Sequence, residues 1–167
     1  MIPVNELNEM LIELKAAVNI RLFDTDVDFI APSVNPEIKS IVLSPNEAHL
    51  IKTLKDKPGV ILAVQLAPSD TDVKNEDNYS EHDNELFYIL EKVDPGRMSD
   101  KEERNHYAKL QLVMQFVKDY LFERGVNGNV CGGNEKVSKP FHTEWEDQVY
   151  GGFNGLSVSF KLENFQF

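Results

Sequence analysis

The spacing of apolar residues predicts a long helix over Ser99–Arg124, around which the other elements are arranged. Apolar side chains recur there at intervals of three and four residues, as on one face of a helix: Tyr107, Leu110, Val113, Met114, Val117, Tyr120 and Leu121. Ser99 and Glu102 have the spacing of a capping box, and Gly125 is suited to end a helix. Lys109 is expected to lie off the apolar face. Such a helix needs a sheet to cover that face.

The apolar pattern also predicts two shorter helices in the first third of the chain. Pro3–Val18 carries apolar residues at helical spacing, with Asn5 as the capping residue. Ser44 precedes a proline and a glutamate at the spacing of a helix start, which predicts a second helix that runs to about Lys55. The helices are expected mainly on one face of the sheet.

Shorter apolar segments predict the strands of that sheet, beginning with Ile38–Leu43. Val60–Leu66 is apolar on both sides, which is typical of a central strand, and Leu86–Val93 is expected to run antiparallel to it. Ile20–Phe23 and Val27–Ile30 are separated by aspartates and followed by prolines. This pattern favours an edge strand or an irregular arm.

The last part of the chain predicts an amphipathic hairpin. Val126–Lys139 is rich in Gly and Asn, and we expect an exposed loop there. Phe141–Tyr150 and Leu156–Leu162 then alternate in polarity on either side of the glycine-rich segment Gly151–Gly155. Two antiparallel strands with one face in water explain this alternation.

The segment Ala67–Glu85 is strongly acidic, and its composition predicts a long mobile loop. Asp70, Asp72 and Glu81 match the first, third and twelfth ligands of a calcium-binding loop. Lys74, however, places a cation where such a loop needs a ligand oxygen. We therefore interpret the segment as a solvated charged loop without a metal ion.

Together these elements predict an α+β fold with an antiparallel sheet of about four to five strands. One long and two shorter helices pack mainly on one face of that sheet. The chain has 167 residues, of which 41% are hydrophobic and 27% charged, and this size and composition are typical of one globular domain. The prediction is a single α+β domain over residues 1–167.

Charge and composition narrow the classes of partner. A formal net charge of −11 argues against binding nucleic acid through a basic surface, because such binding depends on Lys and Arg. The sequence has no apolar run of the roughly 18 residues that a membrane span needs, and its first residues lack the features of a signal peptide. We expect no membrane contact and a cytoplasmic location. The lone Cys131 excludes an intrachain disulfide and thiolate zinc sites.

Candidate chemistry is sparse. His142, Glu144 and Glu146 alternate along one predicted strand, a spacing that suits either a metal site or an acid and base pair. Alternation on the wet face of a strand explains the same three residues without a function. His106 has no obvious partner, and nothing near Cys131 would activate its thiol. The sequence predicts no catalytic residue, no cofactor and no metal ligand.

The order of elements and the closing stretch Tyr150–Phe160, YGGFNGLSVSF, resemble the small tail-terminator and head-to-tail completion proteins of tailed bacteriophages. Those proteins pair an amino-terminal helix and a mainly antiparallel sheet with one long helix, and they assemble as rings. The resemblance implies a structural, self-assembling role in a phage or an integrated mobile element. The location would then be the cytoplasm or the virion.

Three functional hypotheses follow. The first is a non-enzymatic assembly protein that forms an oligomer, or binds another structural protein, through Tyr150, Phe153 and Asn154 at the hairpin tip and Asp70 and Asp72 in the acidic segment. The second is an acidic binding or immunity-like module that engages a basic protein partner. The third is a small hydrolase that uses His142 with Glu144 or Glu146.

Overall fold

A computed structural model describes residues 3–25, 36–66, 69–75, 78–126 and 135–165. The elements in chain order are α1 (Val4–Asp24), β1 (Ile38–Ser44), α2 (Glu47–Leu54), β2 (Val60–Gln65), β3 (Ser69–Asn75), β4 (Asn78–Lys92), α3 (Asp100–Val126), β5 (Glu135–Val149) and β6 (Phe153–Phe165). A single 3-10 turn, Pro95–Arg97, lies between β4 and α3. The predicted α+β class is confirmed.

The sheet is mostly antiparallel, and five strands lie side by side in the order β1-β2-β4-β6-β5. The predicted antiparallel pairing of Val60–Leu66 with Leu86–Val93 is confirmed in the register of β2 and β4. β1 and β2 are parallel, which the sequence did not predict. The reason is that α2 carries the chain back to the end of the sheet where β1 began, as a crossover between parallel strands must.

The prediction of a long mobile loop over Ala67–Glu85 is wrong for the residues that the structure describes. β3 pairs antiparallel with the first half of β4, so that Asp70 lies opposite His82 and Asp72 lies opposite Ser80. Along the same edge of β4, β3 follows β2 after a short interruption. Paired extended strands take the place of the compact loop that calcium binding would need. The acidic composition of this segment indicated that its side chains would stay in water, and a loop was predicted for that reason. Strands pair through backbone hydrogen bonds, which do not require buried side chains.

The helix boundaries differ from the predictions at four places. α1 begins at Val4 after Pro3, so Asn5 lies within the helix and does not cap it. α1 continues to Asp24, so Ile20–Phe23 is helical and is neither a strand nor an arm. Asn46, not Ser44, caps α2, and its side chain accepts a hydrogen bond from the His49 backbone N–H. α3 extends to Val126, two residues past the predicted end. In α1, burial of Leu22 in the core explains why the helix continues beyond the predicted end.

Two of the predicted irregular segments fall wholly or partly outside the described residues. Val27–Ile30 lies outside them. Of the predicted loop Val126–Lys139, the structure describes the two ends: Val126 is the last residue of α3, and residues 135–139 begin β5. The loop prediction is therefore wrong at both described ends, because pairing with β6 extends the hairpin beyond its alternating part.

The predicted capping box at the start of α3 is confirmed. The backbone N–H and the hydroxyl of Ser99 donate to Oε2 of Glu102 at 2.8 and 2.7 Å. These two hydrogen bonds favour the ionised form, and they hold the pKa of Glu102 below its ordinary value. The box fixes the point at which the chain enters α3.

Two cores lie on opposite faces of the sheet. The larger one joins α1 and α3 to one face, and its buried side chains include Leu14, Val18, Phe87, Ile89, Val113, Val117 and Val158. The smaller one joins α2 to the other face and includes Leu50, Leu54, Ile61, Leu90 and Phe153. Two of the three helices therefore share one face, as predicted. No helix in the described ranges is long and apolar enough to cross a membrane.

α1 also covers the outer edge of β1. The Asn19 side-chain amide accepts a hydrogen bond from the Ile38 N–H at 2.8 Å and donates one to the Ile38 carbonyl at 3.1 Å. Lys15 Nζ donates to the next carbonyl, that of Lys39. Side chains of a helix thus satisfy backbone groups that a neighbouring strand would otherwise bind, and this discourages strand addition at the β1 edge.

Candidate functional site

The hairpin tip does not form the exposed aromatic surface that the sequence suggested. Phe153 is fully buried in the smaller core and Asn154 is only 4% exposed. Asn154 Oδ1 accepts hydrogen bonds from the backbone N–H and the side-chain amide of Gln148, both at 2.8 Å. These bonds support a turn in which Gln148 and Tyr150 have positive φ. Phe153 and Asn154 thus have structural roles and cannot reach a partner.

Tyr150 is half-buried and lies edge-on to Tyr88, with ring centroids 5.5 Å apart. Burial raises the pKa of both phenols, and the negative charges of Glu146 and Glu47 act in the same direction. Both phenols therefore stay protonated at neutral pH.

The other two residues of the predicted interaction surface lie elsewhere in the sheet. Asp70 and Asp72 are on β3, which pairs with the first half of β4. The hairpin turn lies beside the opposite end of β4, where Lys92 is paired with Phe153. The hairpin turn and the β3 positions therefore lie at opposite ends of β4, as two separate regions.

The structure does bring His142 and Glu144 together, as their alternation suggested. Nε2 of His142 lies 2.8 Å from Oε1 of Glu144. Both side chains are well exposed, at 69% and 64%, on the outermost strand of the sheet. Water on an open strand face competes for both groups and screens their charges. The pair, with Glu146 two residues further along, lacks the enclosed surroundings that strengthen acid and base chemistry.

A second histidine and glutamate pair, which the sequence pattern did not predict, lies between β4 and α3. Nδ1 of His106 is 3.0 Å from Oε2 of Glu91, and Nζ of Lys109 is 2.5 Å from the same oxygen. The three side chains are 5%, 17% and 8% exposed respectively. One carboxylate therefore joins an imidazole and an ammonium group within the protein.

Two periodicities place these three residues together. Glu91 follows Phe87 and Ile89 on the face of β4 that contacts α3, because strand side chains alternate between faces. His106 and Lys109 are three residues apart, so they lie on one side of α3, next to the buried face that begins at Leu110. The sequence does contain a signal for this cluster. The apolar alternation of β4 continues to Glu91, and the apolar face of α3 is preceded by His106 and Lys109, so polar residues stand on both faces where the two elements approach the turn that connects them.

The cluster forms one wall of a cleft of about 430 Å³. The remaining walls come from the end of β4, the 3-10 turn and the first turns of α3, and they include Lys92, Asp94, Arg97, Glu102 and Asn105. The hairpin turn is tied to this region, because the Val93 N–H donates to the Gly152 carbonyl at 3.2 Å. The cleft thus lies between the end of β4 and the start of α3, and the hairpin turn is bonded to the chain next to it.

The electrostatics of the cluster favour an ionised Glu91. Burial alone would raise its pKa, but the hydrogen bonds from His106 and Lys109 outweigh burial and hold the pKa of Glu91 below its ordinary value. An ionised carboxylate makes Nδ1 of His106 the hydrogen-bond donor. Nε2 is buried and has no hydrogen-bond partner in the described part of the chain.

Metal binding receives no support from the described residues. Among them, no group of three or more His, Cys, Asp and Glu side chains is arranged to hold a metal ion. Cys131 lies outside the described ranges.

Comparison with known proteins does not assign the chain to a family. No protein-family model matches the chain. A search of curated proteins also finds none that matches it. Function is therefore inferred from the geometry of the described residues and from the resemblance of the sequence to phage assembly proteins.

Proposed function

We propose that the protein is a non-enzymatic assembly protein that associates with further copies of itself. The observation that carries this proposal is an apolar ridge on the outer side of α1. Ile12, Ile20 and Phe23 are 54%, 63% and 90% exposed, and the small residue Ala16, also exposed, lies between the two isoleucines. Ile12, Ala16, Ile20 and Phe23 are hereafter called the α1 ridge.

The α1 ridge gives the helix a second apolar side. Its inner side already buries Leu7, Leu11, Leu14 and Val18 against the sheet. Surface helices of monomeric proteins are usually polar on the side away from the core. Complete burial of a side chain such as isoleucine or phenylalanine contributes about 1.5–3 kcal/mol, so a surface that covers the ridge would bind favourably. Contiguous exposed apolar residues mark interaction sites for this reason.

The α1 ridge is presented on a fixed support. Arg21 lies within 4 Å of Asp119 and Glu123 on α3, with its guanidinium group over the ring of Phe116. In the other direction, Arg124 of α3 pairs with Glu13 of α1. These contacts connect the flank of α1 to α3 and leave the ridge facing outward. A rigid helix loses little conformational entropy when a partner binds it.

The spacing of the ridge favours a second copy of the chain as the partner. Ile12 and Ile20 each lie four residues from Ala16. When two α1 helices cross antiparallel at Ala16, Ile12 of one copy faces Ile20 of the other, and the small alanine permits a close approach. A two-fold contact of this kind is self-complementary. The resemblance implies a tail-terminator or neck component of a phage or prophage. Those proteins form rings, and a two-fold α1 contact gives a dimer, so a ring would need a second, different contact between dimers.

Removal of the most exposed ridge residue tests the proposal. Phe23→Ser should reduce the mass measured by size-exclusion chromatography with light scattering, from that of an oligomer to that of a monomer. The thermal midpoint of the isolated monomer should change little, because Phe23 contributes almost no buried surface within the chain. Ile51→Ser is the matched control: Ile51 is also exposed, at 42%, but it lies on α2 across the sheet.

A cysteine at the proposed crossing point tests the symmetry. Ala16→Cys, made together with Cys131→Ser, should give a disulfide-linked dimer under mild oxidation. A wild-type chain that remains monomeric at all accessible concentrations contradicts self-assembly. If such a monomer instead retains a basic protein from its source, and Phe23→Ser abolishes that binding, the acidic binding module becomes the better hypothesis.

A further inference from the structure

The two outer edges of the sheet differ in what covers them. At β1, Lys15 and Asn19 of α1 bond to the outward backbone groups of Ile38 and Lys39. β5 is the strand at the opposite edge. Among the described residues, none bonds to the backbone of residues 141–146 from outside the sheet. In the described part of the chain this edge is therefore open to another strand.

The hydrogen-bond pattern of the sheet determines which backbone groups of β5 face outward. The Val93 N–H donates to the Gly152 carbonyl, so these two residues form a hydrogen-bonded pair in the register of β4 and β6. Because bonding alternates between the two sides of a strand, the odd-numbered residues 155–159 of β6 bond to β5. Their partners in β5 are Glu146, Glu144 and His142. The residues whose backbone groups point away from the sheet are therefore Phe141, Thr143 and Trp145.

We propose that β5 pairs antiparallel with β5 of a second copy of the chain, about a two-fold axis at Thr143. Thr143 of one copy then faces Thr143 of the other, and Phe141 of each copy faces Trp145 of the other. Each of these pairs exchanges two backbone hydrogen bonds. The sheets of the two copies become continuous across the contact, which is self-complementary.

Side-chain pairing selects Thr143 as the centre. In this register His142 of each copy lies opposite Glu144 of the other, and within residues 141–145 no acidic residue opposes another. A centre at Glu144 would oppose two glutamates, and a centre at Trp145 would oppose Glu144 to Glu146. A centre at His142 would lose the aromatic pair. Opposite charges and aromatic pairs stabilise paired strands, whereas like charges directly opposite destabilise them.

Trp145 is the exposed aromatic side chain that this contact covers. It is 51% exposed and lies edge-on to Tyr107 of α3, with ring centroids 5.2 Å apart. Phe141 packs in a similar way against Phe160, at 5.4 Å. Both side chains lie on the face of β5 that α3 covers, because they are four residues apart on one strand. Pairing of Phe141 with Trp145 across the axis joins these aromatic contacts into one cluster.

The distribution of charge along β5 also favours an antiparallel copy. Residues 135–140 contain two lysines and one glutamate, whereas residues 144–147 contain three carboxylates and no lysine or arginine. Antiparallel pairing places the basic part of one strand along the acidic part of the other. Parallel pairing would place like charges side by side. Because the net charge of −11 repels copies at a distance, association depends on these local contacts.

The β5 contact is short, and its occupancy rests on the proposed self-assembly through the α1 ridge. Register shifts between Ser138 and His142 and between Glu146 and Val149 limit its regular part to a few residues. Such a contact is weak by itself, but closure of a ring makes it intramolecular and raises its effective concentration. α1 covers the β1 edge, so the two contacts join each copy to different neighbours. Loss of the α1 contact in Phe23→Ser therefore releases monomers.

Two proline substitutions test the outward alternation and the contact together. Thr143→Pro removes an N–H that points away from the sheet, so the fold should tolerate it, as edge strands tolerate proline. Glu144→Pro removes an N–H that bonds to β6 and should lower the thermal midpoint far more. By light scattering, Thr143→Pro should reduce the mass of the assembly to that of a dimer held by α1. Equal destabilisation by the two prolines, or a folded Thr143→Pro variant with the mass of the wild-type assembly, overturns the proposal.

Cross-linking tests the β5 contact without the α1 ridge. Thr143→Cys, made with Cys131→Ser and Phe23→Ser, should be joined by a short bis-maleimide at high protein concentration, because the paired Cα atoms are about 5.5 Å apart. Asp147→Cys in the same background is the control. This position is also exposed on β5, but it lies four residues from the axis and about 27 Å from its symmetry mate.

The two proposals fail in different ways. A monomeric wild-type protein whose Thr143→Cys variant still cross-links contradicts the α1 ridge and supports β5 pairing. Equal cross-linking of the Thr143→Cys and Asp147→Cys variants overturns β5 pairing and leaves the α1 ridge untouched. If Thr143→Cys does not cross-link, and a lysine-rich peptide shifts the amide NMR signals of Thr143 and Trp145, the edge binds a basic strand and the second copy is overturned as its occupant.

Discussion

The protein contains two histidine and glutamate pairs with nearly the same geometry and very different surroundings. His142 and Glu144 are 2.8 Å apart on the exposed edge strand β5. His106 and Glu91 are 3.0 Å apart between β4 and α3, where the histidine is 5% exposed. The buried pair also includes Lys109. If the distance between the partners alone set the strength of a pair, the two pairs would be equally strong.

Burial makes the difference between them. On β5, water solvates both partners, so their attraction is screened and either partner can be lost at little cost. Between β4 and α3, removal of one partner leaves the others desolvated without compensation. The buried pair therefore has larger consequences for stability, and it also forms part of the wall of the cleft between β4 and α3.

The largest expected difference is in stability. Glu91→Ala should lower the free energy of unfolding by about 3–5 kcal/mol, because Lys109 is left buried without its carboxylate. Glu144→Ala, its counterpart on β5, should change the same quantity by no more than about 0.5 kcal/mol. Urea unfolding followed by circular dichroism measures both. Similar losses in the two variants would mean that Glu91 is more solvated than the structure shows.

The sequence predicted the exposed pair and missed the buried one for a physical reason. Alternation along one strand is a local property, so it brought His142 and Glu144 together correctly. The contact between Glu91 and His106 joins two elements across 15 residues, and it depends on how α3 packs over β4. Lys109 was expected off the apolar face, but it is buried beside Leu110, and His106 is buried one turn before Leu110.

The same distinction explains the other successes and errors. The capping box of Ser99 and Glu102 follows from local pattern and was predicted. The antiparallel pairing of β2 with β4 was also predicted, because the segment between them was treated as a long hairpin connection. The pairing of β3 with β4 was missed because acidic composition indicated solvation and not the pairing of backbones. Phe153 was expected at an exposed tip, but packing with α2 buries it, and only the three-dimensional arrangement shows this.

A smaller difference is expected in the response to acid. The pKa of Glu91 lies below its ordinary value of 4.5 in the folded protein, so the unfolded chain takes up a proton first as the pH falls. The stability that Glu91 contributes is therefore fully present above about pH 4.5 and is lost as the pH drops towards its folded pKa. Unfolding free energies measured between neutral pH and pH 3 should show this loss.

Glu91→Gln supplies the control for the acid response. This variant should lose less stability than the wild-type protein over the same pH range, although it is less stable at neutral pH. Parallel curves for the wild-type protein and Glu91→Gln would show that the ionisation of Glu91 is not coupled to folding.

The measurement that tests the central claim most directly is a pair of double-mutant cycles, one for Glu91 and His106 and one for Glu144 and His142. Each cycle uses single and double alanine variants, and urea unfolding at neutral pH gives the coupling energy. Burial predicts a coupling energy above about 1 kcal/mol for Glu91 and His106, and below about 0.5 kcal/mol for Glu144 and His142. Equal coupling energies in the two cycles would contradict the conclusion that burial, and not geometry, separates the two pairs.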